Sequence, residues 1–254
     1  MNIRLCRLII TYFVLVMVGI TNIACTKNVH NNTALPATDT VVIPKPDTMP
    51  TAVKDTALIT YLALGDSYTI GQSVAETERF PAQAVAQLRA GYINMGNPQY
   101  IATTGWTTSN LAQAIQQQQP KGPFGVVTLL IGVNDQYQHM DTGGYRTRFA
   151  QLLQTAIALA GNRKSRVFVL SIPDYSVTPF GGGLQRIHDE IDEFNAINEE
   201  ITLDYGVKYI NITSISRLAA NDPSLIAGDG LHPSGKQYKL WVDALVPVMM
   251  KALK

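Results

Sequence analysis

Hydrophobic and polar positions along this chain fall into an alternation of short apolar runs and helical stripes. Thr60-Tyr61-Leu62-Ala63-Leu64 forms the first apolar run, Tyr100-Ile101-Ala102 a short second, and Val126 to Ile131 a third that no charge interrupts. Arg166 to Ser171 and Lys208 to Ile212 supply a fourth and a fifth. Runs of this length that are apolar almost throughout mark strands covered on both faces, as in parallel sheets. Between them the period changes to that of a helix. Helices are predicted over Pro81 to Ala90, Leu111 to Gln119 with Ser109 as N-cap, Tyr145 to Ala160, Leu184 to Tyr205 and Ser234 to Leu253. Phe149, Leu152, Leu153, Ala156 and Ile157 share one stripe, and Ile187, Ile191, Phe194, Ile197 and Ile201 another. Alternating β and α segments predict an α/β fold of three layers, α/β/α, with a mainly parallel sheet of about five strands joined by right-handed crossovers.

The first 57 residues break this pattern. Arg4 and Arg7 precede an apolar stretch from Leu8 to Ile20, and small or polar residues lead to Cys25. This is the layout of a secretory signal over residues 1–24, too short and poorly flanked for a membrane span. Ile23-Ala24-Cys25 resembles the lipobox of bacterial lipoproteins, although Asn22 departs from the usual aliphatic residue. That resemblance implies lipidation at Cys25, attachment to a membrane through the N-terminal lipid, and an extracytoplasmic location, periplasmic or at the cell surface. The alternative is an ordinary signal that happens to end in a Cys. Residues 25–57 are rich in Pro, Thr and Asp without any period, which describes an extended tether. Its Asp-Thr repeats at Asp39-Thr40, Asp47-Thr48 and Asp55-Thr56 are similar to a bacterial O-glycosylation site, and are equally explained by composition.

Composition narrows the rest. With 20 Lys and Arg against 19 Asp and Glu, the net charge is +1, and no basic block is present. Binding to nucleic acid through charge is therefore not expected. The only cysteines are Cys6 and Cys25, so the mature domain has no disulfide to rely on. One domain over residues 58–254 accounts for the remaining length.

Four polar segments stand at the ends of these predicted elements. Gly65-Asp66-Ser67 follows the first strand, Thr104-Gly105-Trp106 the second and Gly132-Val133-Asn134-Asp135 the third, while Asp229-Gly230-Leu231-His232 precedes the last helix. In an open parallel sheet the first three lie at the carboxyl edge, where ligands bind. A serine hydroxyl needs a base to become a nucleophile. Ser67 and His232 can form that pair, and Asp229, three residues before the histidine, can orient the ring. The Ser67 and Gly105 backbone N–H groups and the Asn134 amide can donate to an oxyanion. Asp66 and Asp135 are read as loop braces, His30, His139 and His188 as bystanders.

Here the chain resembles the SGNH hydrolases, also called the GDSL family. Tyr61 to Thr69 is similar to the first block of that family, with Tyr68 at the position after the serine where Leu is usual. Gly105 matches the second block, Gly132 to Asp135 the third and Asp229 to Pro233 the fifth. The resemblance implies a flavodoxin-like sheet and serine hydrolysis of esters, thioesters or related acyl bonds. The elbow Gly-x-Ser-x-Gly of α/β-hydrolases does not fit, because Thr69 stands at its last position.

Trp106, Tyr137, Tyr175 and Phe180 fall on loops at the same edge, where they either line a substrate pocket or simply anchor loops. Gly181-Gly182-Gly183 is either a hinge or a flexible lead into a helix. The expected activity is hydrolysis of carboxylic esters, with short acyl groups such as acetyl on glycans as substrates. Alternatives are a thioesterase or lysophospholipase acting on a small lipid, or a non-catalytic glycan-binding lipoprotein. No cofactor is expected, and no cluster with zinc spacing is present, so no metal is expected either.

Overall fold

The computed structural model describes residues 57–254. The signal and Cys25 readings, and the tether reading except for its last residue, Ala57, fall on residues outside that range. Five strands form a single, fully parallel sheet: β1 (Ile59–Gly65), β2 (Met95–Ala102), β3 (Val126–Leu130), β4 (Val167–Leu170) and β5 (Lys208–Ile210). Their spatial order is β2-β1-β3-β4-β5. Eight α-helices accompany them among the described residues: α1 (Ser67–Ile70), α2 (Phe80–Ala90), α3 (Thr108–Gln118), α4 (Val133–Tyr137), α5 (Thr142–Leu159), α6 (Gln185–Asp204), α7 (Thr213–Ser216) and α8 (Gly235–Leu253).

The order of the strands decides where the helices go. The chain first steps from β1 to β2 and then reverses, crossing β1 to reach β3, β4 and β5. Right-handed crossovers put the first connection on one face and the later ones on the other. Accordingly α2 packs with the C-terminal α8, while α5 packs with α3 and α6. Trp241, Tyr238 and Phe80 are buried where α8 meets α2, and Tyr145 and Phe149 of α5 are buried with Phe168 of β4 in the core. The reversal creates a crevice between the carboxyl ends of β1 and β3, the usual ligand position in such a sheet.

Several boundaries differ from the pattern reading. β2 begins five residues before Tyr100 and runs through Gly96 and Pro98. Both discourage strands, but β2 is an edge strand, where a proline without an N–H is tolerated. Helix α3 starts at Thr108, and its N-cap is Thr107, not Ser109. The Thr107 hydroxyl accepts from Asn110 N while Asn110 Oδ1 accepts from Thr107 N, a reciprocal box that Ser109 does not make. Helix α5 starts at Thr142, because Asp141 accepts from Gly144 N at 2.6 Å and carries the helix over two glycines. β5 stops at Ile210, since Ile212 N turns to the Ser171 hydroxyl. Helices α1 and α4 are too short to show a period, and each begins inside a polar segment singled out above.

Gly65 closes β1 in a space with no room for a side chain. A Cβ there would lie 2.1 Å from Thr69 Oγ1 and 2.4 Å from the Leu130 carbonyl oxygen. The second of these is backbone of the neighbouring strand and cannot give way cheaply. Gly65→Ala is expected to destabilise the domain by roughly 2 kcal/mol, a fall in Tm of about 4–8 °C. An unchanged thermal melt would show that β1 and β3 are not packed this closely.

Candidate active site

Ser67 is the first residue of α1, two residues beyond the end of β1. Asp66 caps this short helix, accepting from Tyr68 N at 3.0 Å. The turn leaves Ser67 buried, with its N–H among those a helix start does not bond internally. Burial pushes the Asp66 carboxyl up to about 8; the Tyr68 N–H works against this, and the nearby Asp135 charge adds to it. Its Oδ2 accepts no hydrogen bond, so a proton has a place to sit.

On the neighbouring loop Gly105 has φ +82°, in the left-handed region, and nothing lies within 4 Å of the position a Cβ would take. The glycine is therefore required by backbone conformation, and it lines the crevice. Gly132 (φ +130°) is required by both conformation and space, since a Cβ would lie 2.3 Å from the Tyr145 hydroxyl. It launches α4, which carries Asn134. The Asn134 amide donates one N–H to the Trp106 carbonyl at 3.0 Å, leaving its second N–H for the crevice. Asp135 is buried and accepts from Thr108 N at 2.8 Å, Thr108 Oγ1 at 2.5 Å and Arg148 Nη2 at 3.2 Å. It locks the start of α3 to α4.

Asp229 and His232 form the fourth segment. Asp229 Oδ1 accepts from Leu231 N and His232 N, both at 3.0 Å. Its Oδ2 meets His232 Nδ1 at 2.7 Å and accepts from the Ser73 hydroxyl at 2.6 Å. Partial burial pushes this carboxyl up, but the hydrogen bonds from Ser73, the His232 ring and the two backbone N–H groups outweigh it and hold Asp229 well below the usual range. A carboxylate only accepts, so Nδ1 carries the hydrogen and Nε2 keeps a free lone pair. The imidazole is buried, with its centroid 5.2 Å from the Tyr68 ring.

These segments meet around one cavity of about 160 Å³. Ser67, Gly105, Asn134 and His232 line it, together with Tyr137, Tyr175 and Phe180. No Ser67 Oγ to His232 hydrogen bond forms among the described residues; such bonds are commonly long until substrate binds. Trp106 does not line the cavity. Its ring is partly buried against the core, and only its carbonyl serves the site, by holding Asn134. Tyr68, Thr104, Val133 and Leu231 also line the cavity; the sequence gives none of them a role, although each adjoins a residue that has one.

Tyr137, Tyr175 and Phe180 form an aromatic wall, with centroids 6.0–6.4 Å apart. Gln136 accepts from the Tyr175 hydroxyl at 2.9 Å and donates to Glu190 at 2.6 Å, which fixes the ring. The run Gly181-Gly182-Gly183 is a compact turn. Its three N–H groups donate to Thr178 Oγ1, Thr178 O and Ser176 O. A Cβ on Gly181 would meet the Tyr175 carbonyl oxygen at 2.0 Å. Phe180 N donates to Gly230 O at 3.0 Å, joining this wall to the segment that carries the histidine. His188 is more than a bystander. It meets buried Asp174 at 2.8 Å, which also takes Arg217 at 2.9 Å, and so pins the base of the same loop.

The raised Asp66 group links stability to pH. Its contribution is full below about 4, where both folded and unfolded states hold the proton, and is lost as pH rises through about 8. Asp66→Asn keeps an acceptor for Tyr68 N and removes the titration. Its Tm is expected to exceed that of the parent by about 5 °C or more at pH 8–9, with the gap closing towards pH 4. A variant less stable than the parent at pH 8–9 would contradict the placement of a neutral carboxyl here.

Solved structures share this architecture. The chain is similar in fold to TesA, with a TM-score of 0.61 at 15% identity over 76% of this chain and 99% of that one. It is similar to the psychrotrophic esterase EstA from Pseudoalteromonas sp., with a TM-score of 0.56 at 19% identity over 76% and 98%. A variant of Axe2, an acetyl xylan esterase from Geobacillus stearothermophilus, gives 0.52 at 17% identity over 76% and 95%. No curated protein matches the sequence. A family profile described as GDSL-like Lipase/Acylhydrolase matches residues 63–240. That stretch runs from β1 into α8 and includes all four polar segments, and this protein belongs to the GDSL-like lipase/acylhydrolase family, an enzyme of the esterase and acylhydrolase type.

Proposed function

We propose that Ser67, His232 and Asp229 act as a catalytic triad and that the protein hydrolyses esters of short acyl groups, such as acetyl groups on glycans. The observation that carries this reading is the 2.7 Å contact of His232 Nδ1 with Asp229, on the wall of the cavity that Ser67 also lines. The contact leaves Nε2 as the base. Ser67 Oγ attacks the ester carbonyl and gives its proton to Nε2. Negative charge moves to the carbonyl oxygen, where Ser67 N, Gly105 N and the Asn134 amide are the proposed donors. The intermediate collapses, the C–O bond breaks, and the alcohol leaves with the proton from Nε2. Water then repeats the sequence on the acyl-serine and releases the acid. Ester and water balance every step, and Asp229 stays ionised throughout.

The size of the cavity supports a short acyl group. At about 160 Å³ it is well below the ~300–1,000 Å³ of ordinary small-molecule pockets. Tyr137 and Phe180, both half-exposed, line it, and aromatic rings suit packing on a sugar ring. The acetyl xylan esterase among the structural relatives is in keeping with such a substrate, but its 17% identity speaks to the fold alone. The lipobox-like Cys25 supports an extracytoplasmic, lipid-anchored enzyme.

Ser67→Ala is expected to abolish hydrolysis of p-nitrophenyl acetate with the thermal melt preserved; turnover at the parental rate would remove Ser67 from the reaction. Asn134→Ala is expected to lower kcat by about a hundred- to a thousand-fold, and a loss below tenfold would take the amide out of the oxyanion site. In a series of p-nitrophenyl esters, kcat/KM should fall steeply from acetate to octanoate. A maximum at octanoate would favour the lipid-directed reading.

A further inference from the structure

Asp229 accepts four hydrogen bonds, one for each in-plane lone pair of a carboxylate. Three come from Leu231 and His232, inside its own loop, and these cannot stop the loop from shifting as a body. The fourth comes from Ser73, 156 residues away in sequence, at 2.6 Å. Ser73 belongs to the turn that ends α1, the helix Ser67 begins. In that turn Gly71 N and Gln72 N both donate to Ser67 O, which leaves Ser73 a short, bonded step from the proposed nucleophile. Gln72 next to it accepts from Thr104 Oγ1 at 2.7 Å, so the same turn also holds the loop of Gly105. Ser73 itself has φ +67°, an uncommon conformation for a serine. Strain of this kind persists where the surroundings hold it, and it gathers at functional sites.

We infer that Ser73 is a positioning residue, whose hydroxyl fixes the Asp229–His232 pair relative to Ser67. It does not line the cavity and touches no substrate. It sets where Nε2 sits against the attacking hydroxyl, a distance to which the rate is steeply sensitive. The inference rests on the triad reading given above.

Ser73→Gly separates this role from a structural one. Glycine takes the left-handed backbone without strain, which offsets part of the stability lost with the Asp229 hydrogen bond, so the variant still folds. On p-nitrophenyl acetate its kcat is expected to fall about tenfold or more, with KM within about twofold and Tm within about 5 °C of the parent. Parental kcat would overturn the inference, as would a loss of kcat accompanied by a fall in Tm of more than about 5 °C. Ser67→Ala and His232→Ala are assayed beside it. Should either retain turnover, the triad reading itself fails; if both are inactive while Ser73→Gly is unimpaired, only the role of Ser73 fails.

Discussion

A carboxylate with every lone pair occupied cannot turn, and this fixes the face that its histidine presents. The Asp229–His232 contact is the constraint around which the rest of the structure is arranged. It settles which ring nitrogen carries hydrogen. It also keeps the acid ionised, because four donors outweigh the effect of partial burial. The segment holding this pair is tied on two sides, to the α1 turn through Ser73 and to the aromatic wall through the Gly230 carbonyl. In the proposed reaction, base, acid and substrate wall therefore move little with respect to one another.

The sheet supplies the other half of the arrangement. Reversal of strand order between β1 and β3 opens a crevice at their carboxyl ends, and Ser67 and Asn134 stand on short helices that start there. Both starts depend on glycine. Gly65 lets β1 lie close to β3, and Gly132 makes room for the Tyr145 hydroxyl. Buried carboxyls then hold the pieces in place: Asp66 caps α1, Asp135 joins α4 to α3, and Asp174 anchors the aromatic loop to α6 and Arg217. None of these three needs to touch a substrate to matter for the geometry.

Much of this is legible in sequence for a physical reason. A strand buried on both faces has to be apolar along its length, so Val126 to Leu130 announces itself. Parallel connections require helices between strands, and the stripes of α5 and α6 supply them. Where local preference and tertiary context disagree, the sequence misleads. Gly96 and Pro98 hide half of β2, because nothing local says that this is an edge. The indole of Trp106 resembles a pocket residue by its place in the chain, yet it turns to the core and serves the site through its carbonyl. Ser73 carries no local sign at all. Its partner is at the far end of the domain, and its left-handed backbone is one that glycine would ordinarily mark.

The central claim is that one serine hydroxyl is made nucleophilic by one imidazole. Reaction with a fluorophosphonate, followed by intact mass and peptide mapping, tests it most directly. The account predicts a single adduct on Ser67 in the parent enzyme, and its near-complete loss when His232 is replaced by alanine. An adduct on another residue, or labelling of Ser67 at an undiminished rate without His232, would contradict it.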